Sequence, residues 1–246
     1  MKDIFDSWIT KTPIAHRGLH NKNIPENSLS AFKNAIEHGY AIEIDLQTTK
    51  DNKIIVFHDD SLERLTNVKS NVNEKTLEEI KELTLKNSDE KIQTLDEFLT
   101  FVDGKVPVLI EVKDHKNIGV AEEIIATSLK SYKGQFAIQS FNPFIIKWFK
   151  KNTNFCAGIL SCFFCDVRLA WYKKIMLKNL YLIKNIKSDF VSYEASAGFY
   201  FKKLKKLKGK LPILFWTVKS ADEMQRYKTV CDNVIFENFL PWRNLI

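Results

Sequence analysis

Three carboxylates stand within apolar segments of the sequence, where a charged side chain is costly unless a partner satisfies it. Glu43 and Asp45 lie two residues apart, and Glu111 lies near the end of a later apolar segment. Residues two apart on a strand share one face, so Glu43 and Asp45 project together. An all-oxygen set of this kind suits Ca²⁺ or Mg²⁺ better than Zn²⁺. The alternative is that Glu43–Asp45 and Glu111–Lys113 form internal ion pairs, and spacing alone leaves both possibilities open.

Two histidines are predicted to lie beside these carboxylates. His16 ends the first apolar segment, and His58 follows the second arm of a predicted hairpin. Such a pair can act as general base and general acid near neutral pH. Arg17 and Lys113 could hold an anionic phosphoryl group. The remaining histidines are not predicted to lie beside these carboxylates. We interpret them as surface residues: His20, His38 and His115.

The elements that must position these side chains are short apolar segments alternating with segments of helical period. Eight strands are predicted, at Pro13–His16, Tyr40–Leu46, Val106–Lys113, Phe136–Ser140, Cys156–Leu160, Asp189–Tyr193, Pro212–Val218 and Asp232–Phe236. Helices are predicted at Ser28–His38, Thr94–Val102, Val120–Tyr132, Pro143–Lys151, Leu169–Lys184 and Ala221–Lys228. Eight such units in 246 residues predict an α/β fold, a (β/α)₈ TIM barrel, as one domain over residues 1–246. In such barrels the active site lies at the carboxyl ends of the strands, where the carboxylates are predicted.

The second strand is predicted to continue into a β-hairpin instead of a helix. A turn centred between Asp51 and Asn52 would place His58 directly opposite Asp45. Residues 60–93 then read as a small insertion with a helix at Glu74–Leu83, too small for a core of its own.

The composition is that of an ordinary globular protein with a positive net charge. Hydrophobic residues make up 45% and charged residues 27%, which excludes a disordered chain and a coiled coil. The net charge of +7 suits an anionic ligand, and it is also what a solvated basic surface would give. The apolar run Phe155–Tyr172 carries Asp166 and Arg168, which are costly in a membrane span. Without a signal core or a disulfide spacing among the four cysteines, the predicted location is cytoplasmic.

Two further motifs are assigned no chemistry. Cys162 and Cys165 form a Cys-x-x-Cys pair, but neither a thioredoxin-like unit nor a full set of zinc ligands accompanies it. The basic run 201–210 is interpreted as a helix face, and no nucleic-acid partner is predicted because no base-reading module accompanies it. Contact of this run with an anionic membrane surface is left open, as is the oligomeric state.

Several motifs in a fixed order give the sequence a family resemblance. They are His16-Arg17-Gly18, Pro25-Glu26-Asn27-Ser28, Glu43-Ile44-Asp45, Thr49-Lys50-Asp51, His58-Asp59, Leu62, Arg64, Thr66, Glu111-Val112-Lys113, Ser140-Phe141 and Trp216-Thr217-Val218. This ordered set resembles the glycerophosphodiester phosphodiesterase family, and it spans nearly the whole chain.

The resemblance implies a (β/α)₈ barrel with a small insertion after the second strand. The implied reaction is metal-dependent hydrolysis of a glycerophosphodiester to glycerol 3-phosphate and an alcohol, with two-histidine acid/base catalysis. The glycerol 2-hydroxyl would be the first nucleophile, giving a cyclic phosphate that water then opens. The implied site comprises the catalytic His16 and His58, the Ca²⁺ or Mg²⁺ ligands Glu43, Asp45 and Glu111, the phosphate-contacting Arg17 and Lys113, and the pocket-lining Phe141 and Trp216.

The chain departs from the family pattern at its eighth strand. Residues 232–239 stand where the family commonly has Asp-Gly-Ile-Ile-Thr-Asp-Xaa-Pro, and Glu194 matches no position that we can assign. Two alternative functions therefore remain. One is a lysophospholipase D, with an acyl-chain groove formed by Phe155–Phe164 and Phe199–Phe201. The other is a non-catalytic barrel that binds glycerophosphates, although the chemically competent histidines and carboxylates argue against it.

Overall fold

Two compact units make up the chain in the computed structural model. One is Ala15–Phe136, and the other combines Met1–Ile14 with Ala137–Ile246. The structure describes residues 4–115, 117–163, 174–175, 177, 179–196 and 204–241. The expectation of a single domain over residues 1–246 stays a prediction.

The strands of the unit Ala15–Phe136 are β2 (Ala41–Thr48), β3 (Ile54–Val56) and β4 (Val108–Val112), and β1 (Ile14–Ala15) leads into it. β2 pairs with β4 in parallel and with β3 in the antiparallel sense. Helices occupy Leu29–His38, Glu63–Thr66, Leu77–Lys81, Leu95–Val102 and Val120–Ser131, with a 3₁₀ turn at Val72–Glu74.

Five parallel strands form the other unit and pair in chain order. They are β5 (Phe136–Ser140), β6 (Ala157–Ser161), β7 (Val191–Glu194), β8 (Ile213–Val218) and β9 (Asn233–Phe236). Helical segments lie at Ile4–Asp6 (3₁₀), Trp8–Lys11, Pro143–Asn152, Ile183–Ile186 and Ala221–Tyr227. The predicted helix Leu169–Lys184 lies mostly outside the described residues.

All eight predicted strands are present, and their ends lie within two residues of the predicted ones. Their alternation with helices confirms the predicted class, a (β/α)₈ barrel fold. β2 and β4 are buried over almost their whole length, as strands of a parallel sheet are when both faces are covered.

Local signals in the sequence set the ends of helix Leu29–His38. The Ser28 hydroxyl accepts a hydrogen bond from the backbone N–H of Ala31, which makes Ser28 the N-cap. Gly39 ends the helix with φ 63°, the left-handed conformation that glycine adopts without steric cost. The predicted helix Ser28–His38 therefore begins one residue later than predicted and ends where predicted.

The register of the hairpin differs by one residue from the prediction. Leu46 pairs with Val56, and the N–H of Phe57 donates to the carbonyl of Asp45, so Phe57 and not His58 lies opposite Asp45. The cause is a longer turn. The N–H of Thr49 bonds the carbonyl of Lys53 across a three-residue loop whose last residue, Asn52, has φ 58°. A two-residue turn needs left-handed backbone earlier in the loop, whereas a three-residue loop with one left-handed residue is the next most common type.

The insertion has a small core, which the sequence analysis did not expect. Its buried members lie between Leu62 and Ile92, and they pack on Ile55 of β3 and on Phe57. The predicted helix Glu74–Leu83 is shorter, because Thr76 caps a helix that covers only Leu77–Lys81. The insertion is therefore anchored on the hairpin that leads to His58.

Candidate active site

The three predicted carboxylates meet in the unit Ala15–Phe136. Asp45 of β2 is paired in register with Glu111 of β4, and Glu43 lies two residues before Asp45 on the same face. Glu43 and Asp45 are 1% exposed and Glu111 is 6% exposed. One carboxylate oxygen from each lies within 4.8 Å of the others. Parallel pairing thus brings together groups that are more than 60 residues apart in the sequence.

Two cationic side chains bind this cluster. The Lys113 ammonium lies 2.7 Å from Asp45 Oδ1 and 2.6 Å from Glu111 Oε1. The Arg17 guanidinium lies 3.3 Å from Asp45 Oδ2, and the Arg17 backbone N–H donates to Glu43 Oε2 at 2.9 Å. The internal ion pairs and the acidic cluster, which the sequence left as alternatives, are therefore both present.

Burial and neighbouring charges shift the pKa of the three carboxyl groups in different directions. Burial raises the pKa of Glu43 well above its usual range, and repulsion from Asp45 and Glu111 adds to this effect. Burial also raises the pKa of Glu111, although the Lys113 charge opposes it. Burial would raise the pKa of Asp45 as well, but the nearby cations Lys113, His58 and Arg17 lower it. Burial and mutual repulsion thus oppose the ionisation of all three carboxylates together, although Lys113 and Arg17 favour it.

This donor set fits a hard divalent cation. The three ligand atoms are carboxylate oxygens, and no thiol or imidazole belongs to this group. Burial, with repulsion between the carboxylates as a smaller cause, raises the pKa of Glu43 and of Glu111, and a bound cation would oppose both effects. Glu43, Asp45 and Glu111 therefore form a group that could hold a metal ion.

Backbone geometry at the His-Arg-Gly motif brings Arg17 to the carboxylates. Arg17 has φ 54° and Gly18 has φ 77°, two successive left-handed residues directly after the half-buried His16. A Cβ on Gly18 would lie 2.9 Å from Ala31 Cβ, so only glycine fits against the first turn of helix Leu29–His38. The tight loop turns the Arg17 backbone toward Glu43.

His58 is held by its neighbour in the sequence. Its Nδ1 lies 2.7 Å from Asp59 Oδ1. Burial would raise the pKa of Asp59, but hydrogen bonds from Arg64 and His58 lower it, so Asp59 is an ionised acceptor. His58 Nδ1 must then carry the hydrogen, which leaves Nε2 as the atom that gains and loses a proton. Burial lowers the pKa of His58 itself, against the attraction of Asp45.

Three further residues contact the predicted site residues, although the sequence analysis gave them no role there. Asn27 is buried, and its amide donates to Asp45 Oδ2 at 3.0 Å. Glu26 accepts from the Arg17 guanidinium at 2.7 Å. Gln47 donates to the carbonyl of His58 at 3.2 Å. Glu26 and Asn27 stand within the quoted Pro-Glu-Asn-Ser motif, whereas Gln47 shares the strand face of Glu43 and Asp45 and could have been found by that alternation.

The aromatic pair Phe141 and Trp216 belongs to the other unit. Their rings lie edge to face with centroids 5.6 Å apart. Phe141 follows β5, and Trp216 lies in β8. Their role as pocket walls stays a prediction.

Two of the remaining histidines correct the sequence analysis. His38 is exposed, as predicted. His115 is not a surface residue, because its Nε2 lies 2.9 Å from the buried Glu122, which raises the pKa of His115. His20 is half-buried. The turn after β4 brings His115 back to the helix that follows it, which the strand pattern does not reveal.

Several other predictions concern the unit that contains β5–β9. Cys156, Cys162 and Cys231 are free thiols, and Cys165 lies outside the described residues. Glu194 accepts hydrogen bonds from the Phe163 N–H and the Ser196 hydroxyl. In the atypical eighth-strand loop, Glu237 pairs with Lys219 at 2.9 Å. The proposed acyl-chain groove and the basic run 201–210 lie partly outside the described residues. No helix in the described ranges is long and apolar enough to cross a membrane.

Comparison with solved structures supports the fold. A glycerophosphodiester phosphodiesterase from Thermotoga maritima matches with a TM-score of 0.73 and 26% identity, over 92% of this chain and 94% of that one. A phosphodiesterase from Oleispira antarctica, solved with the product sn-glycerol-3-phosphate, matches with a TM-score of 0.74 and 23% identity over 91% of each chain. The class of protein is therefore a (β/α)₈ barrel.

Comparison of sequences then defines the family. The model of the glycerophosphoryl diester phosphodiesterase family matches residues 16–239. A glycerophosphodiester phosphodiesterase from Caldanaerobacter subterraneus subsp. tengcongensis is 31% identical over 251 residues, which cover 95% of this chain and 96% of that protein. The chain belongs to the glycerophosphoryl diester phosphodiesterase family, whose members hydrolyse glycerophosphodiesters.

Proposed function

We propose that this chain hydrolyses glycerophosphodiesters to sn-glycerol 3-phosphate and an alcohol, with His16 and His58 as the acid/base pair. The observation that carries the proposal is the buried cluster of Glu43, Asp45 and Glu111 with cationic side chains bound to it. In an ordinary ion-pair network each carboxylate has a cation of its own, whereas here burial, together with repulsion from Asp45 and Glu111, raises the pKa of Glu43.

Glu43, Asp45 and Glu111 would hold the divalent cation, and we propose Ca²⁺ or Mg²⁺ because every ligand is a carboxylate oxygen. When bound, such an ion supplies charge stabilisation to the phosphodiester oxygens. Their burial keeps the carboxylates away from bulk water, which strengthens their electrostatic interactions.

Lys113 and Arg17 would bind the phosphate. A lysine ammonium has three donors, and two of those in Lys113 are directed at Asp45 and Glu111. Among the contacts of the described residues, the third donor is not used, so it can bind a phosphate oxygen. Arg17 uses Nη1 for Glu26 and Nε for Asp45, which leaves Nη2 for the same role. Each cation therefore ties the anionic substrate to the acidic cluster.

The two histidines would move the protons of the reaction. One removes the proton from the glycerol 2-hydroxyl as its oxygen attacks phosphorus, and the other delivers a proton to the departing alcohol oxygen. A cyclic phosphate results, and water opens it with the histidines in exchanged roles. The Nδ1 contact with Asp59 fits His58 for this work, because it holds the ring with Nε2 directed away from Asp59.

We propose a cytoplasmic location because the described cysteines are free thiols. Cys156 is a half-buried free thiol and Cys231 a buried one, and burial raises the pKa of each to about 12. Unpaired thiols are typical of a reducing compartment.

The proposal is tested by metal removal together with Glu43→Gln. We expect EDTA to abolish release of glycerol 3-phosphate from glycerophosphocholine, and Mg²⁺ or Ca²⁺ to restore it. A saturating cation should raise the melting temperature of the wild type, since binding at 100 Kd stabilises by about 2.7 kcal/mol. Glu43→Gln should stay folded, lose activity and lose that rise in melting temperature.

The matched control is Glu122→Gln, which removes another buried carboxylate, one that pairs with His115 instead of the cluster. It should keep the metal-induced rise in melting temperature. Full activity of the wild type in excess EDTA would overturn the assignment of the carboxylates.

A further inference from the structure

Arg64 bridges two carboxylates, and it binds both oxygens of each. Its Nε and Nη2 donate to Asp59 at 2.5 and 3.0 Å. Its Nη1 and Nη2 donate to Glu26 at 2.8 and 2.7 Å. The planar guanidinium has its donors in a fixed fork, so four bonds of this kind set the position of both carboxylates together.

Each carboxylate also contacts a predicted site residue and so fixes the position of that residue. Asp59 Oδ1 contacts His58 Nδ1 at 2.7 Å, and Glu26 Oε1 accepts from Arg17 Nη1 at 2.7 Å. Arg64 therefore stands at the centre of a chain of hydrogen bonds that begins at His58 and ends at Arg17. At its Arg17 end this chain reaches Asp45, through the 3.3 Å contact of Arg17 Nε.

The geometry separates this network from ordinary surface ion pairs. Exposed pairs contribute little when two flexible chains meet at one point, but bidentate arginine networks are the exception. The Arg64 side chain is 47% exposed, whereas the side chains of Glu26 and Asp59 are only 12% and 24% exposed. The two carboxylates are thus mostly buried, whereas Arg64, which belongs to the insertion, is half-exposed.

We propose that Arg64 is a positioning residue that fixes the imidazole of His58 through Asp59 and the guanidinium of Arg17 through Glu26. The role of the insertion in this reaction is then to supply Arg64 from helix Glu63–Thr66. The inference rests on the proposed function, because it takes His58 and Arg17 to be site residues. Among the described residues, the Arg64 guanidinium hydrogen-bonds Asp59 and Glu26 and makes no direct hydrogen bond with His58 or Arg17.

Removal of Arg64 should affect the chemical step more than substrate binding. A misplacement of a reacting group by about 1 Å can cost about 100-fold in rate. We expect Arg64→Ala to lower kcat for glycerophosphocholine by about 10- to 100-fold at saturating Mg²⁺, with a change in KM of less than about 5-fold. Arg64→Lys should recover only part of kcat, because an ammonium cannot bind both oxygens of both carboxylates in the plane of a guanidinium.

The matched control is Lys75→Ala, which breaks another ion pair of the insertion, the one with Glu79 at 2.7 Å. It should leave kcat and KM as in the wild type. A second readout is independent of turnover: ¹⁵N NMR of histidine-labelled protein. In the wild type, His58 should be the Nδ1–H tautomer when neutral, and in Arg64→Ala the two tautomers should mix.

The outcomes separate this inference from the proposed function. If His58→Ala is inactive while Arg64→Ala keeps wild-type kcat and the Nδ1–H signal, the positioning role is wrong and the proposed function stands. If His58→Ala itself keeps full activity, the proposed role of His58 fails, whatever Arg64→Ala does. An equal loss of kcat in Lys75→Ala would also overturn the inference, because the effect would then belong to the insertion in general.

Discussion

At the residue scale, Arg17 contacts three carboxylates. Its backbone N–H donates to Glu43, and its side chain contacts Glu26 and Asp45. It does so in a left-handed conformation, which costs about 1–2 kcal/mol for a residue with a side chain. Burial would lower the pKa of Arg17, but the nearby carboxylates raise it, so its charge is secure. The contacts of Arg17 with Glu26, Glu43 and Asp45 offset this cost.

The first prediction concerns Gly18→Ala. The new methyl group would meet Ala31 Cβ at 2.9 Å, and φ 77° adds the left-handed cost. We expect the free energy of unfolding to fall by about 2–4 kcal/mol and activity to fall with it, because the loop that presents Arg17 must shift. Urea unfolding measures the first effect, and turnover measures the second.

Gly209→Ala is the control for this prediction. Gly209 has φ 78°, and a Cβ there would meet nothing within 4 Å, so it isolates the backbone cost. We expect a loss of about 1–2 kcal/mol with activity unchanged. Equal losses of stability and activity in the two variants would show that the contact with Ala31 is unimportant.

The second prediction concerns stability at acid pH. Burial would raise the pKa of Glu26, but hydrogen bonding and the charges of Arg64 and Arg17 lower it in the folded protein. Ionised Glu26 therefore stabilises the fold above its unfolded pKa of about 4.3, and that contribution is lost as the pH falls through the lower folded pKa. Glu26→Gln should lower the free energy of unfolding at pH 7 and flatten its decline below pH about 4.3. A decline as steep as that of the wild type would contradict the assignment.

At the scale of elements, the hairpin β2–β3 decides where His58 lies. Its three-residue loop, closed by Asn52 at φ 58°, fixes the register that places Phe57 opposite Asp45. The loop is also tied to the insertion, because Asp51 accepts from the N–H of Leu77. Turn geometry and the insertion therefore act together on the residues that follow β3.

The third prediction inserts one glycine between Asp51 and Asn52. A one-residue slip reverses the faces of the strand that follows, so His58 should leave its position and kcat should fall at least about 100-fold. The loop is exposed, so the melting temperature should fall by no more than a few degrees. The control is a glycine inserted between Gly104 and Lys105, in an exposed turn ahead of β4, which should leave kcat unchanged. Wild-type kcat in the hairpin variant would show that the hairpin does not position His58.

At the scale of the whole molecule, the chemistry is concentrated in one part of the chain. The family match runs over residues 16–239, yet the predicted acid/base, metal and phosphate residues all belong to the unit Ala15–Phe136. The other unit supplies the aromatic pair Phe141 and Trp216. The net charge of +7 suits an anionic substrate, because a positive potential favours its approach.

The fourth prediction concerns the nucleophile. The glycerol 2-hydroxyl can close a five-membered cyclic phosphate, and well-oriented groups of this kind reach effective molarities of about 10⁵–10⁸ M. A water nucleophile would instead need its own positioning residue, and the three clustered carboxylates are assigned to the metal. A 2-deoxy glycerophosphodiester should therefore bind as a competitive inhibitor without turning over. Phosphorus NMR should show a 1,2-cyclic phosphate accumulating in His16→Ala or in His58→Ala. Rapid hydrolysis of the deoxy analogue would instead mean direct attack by water.

The sequence by itself determined the fold class and the grouping of Glu43, Asp45 and Glu111. The eight strands follow from short apolar segments that alternate with segments of helical period, and Glu43 and Asp45 share a face because a strand repeats every two residues. The cap at Ser28 is equally local. The grouping of these carboxylates with Glu111 followed from a general rule, that the carboxyl ends of barrel strands meet.

Tertiary structure alone decided the contacts between parts of the chain that no local rule connects. Arg64 and Glu26 are 38 residues apart, and they meet because the insertion packs on β3 through its own apolar cluster. The hairpin register differs by one residue from the predicted register. The reason is that Asn52 adopts a left-handed conformation, which asparagine permits but does not require. His115 became a partner of Glu122 because the turn after β4 folds back on its helix. Each of these outcomes depends on packing energy summed over distant residues, which periodicity and motif spacing do not contain.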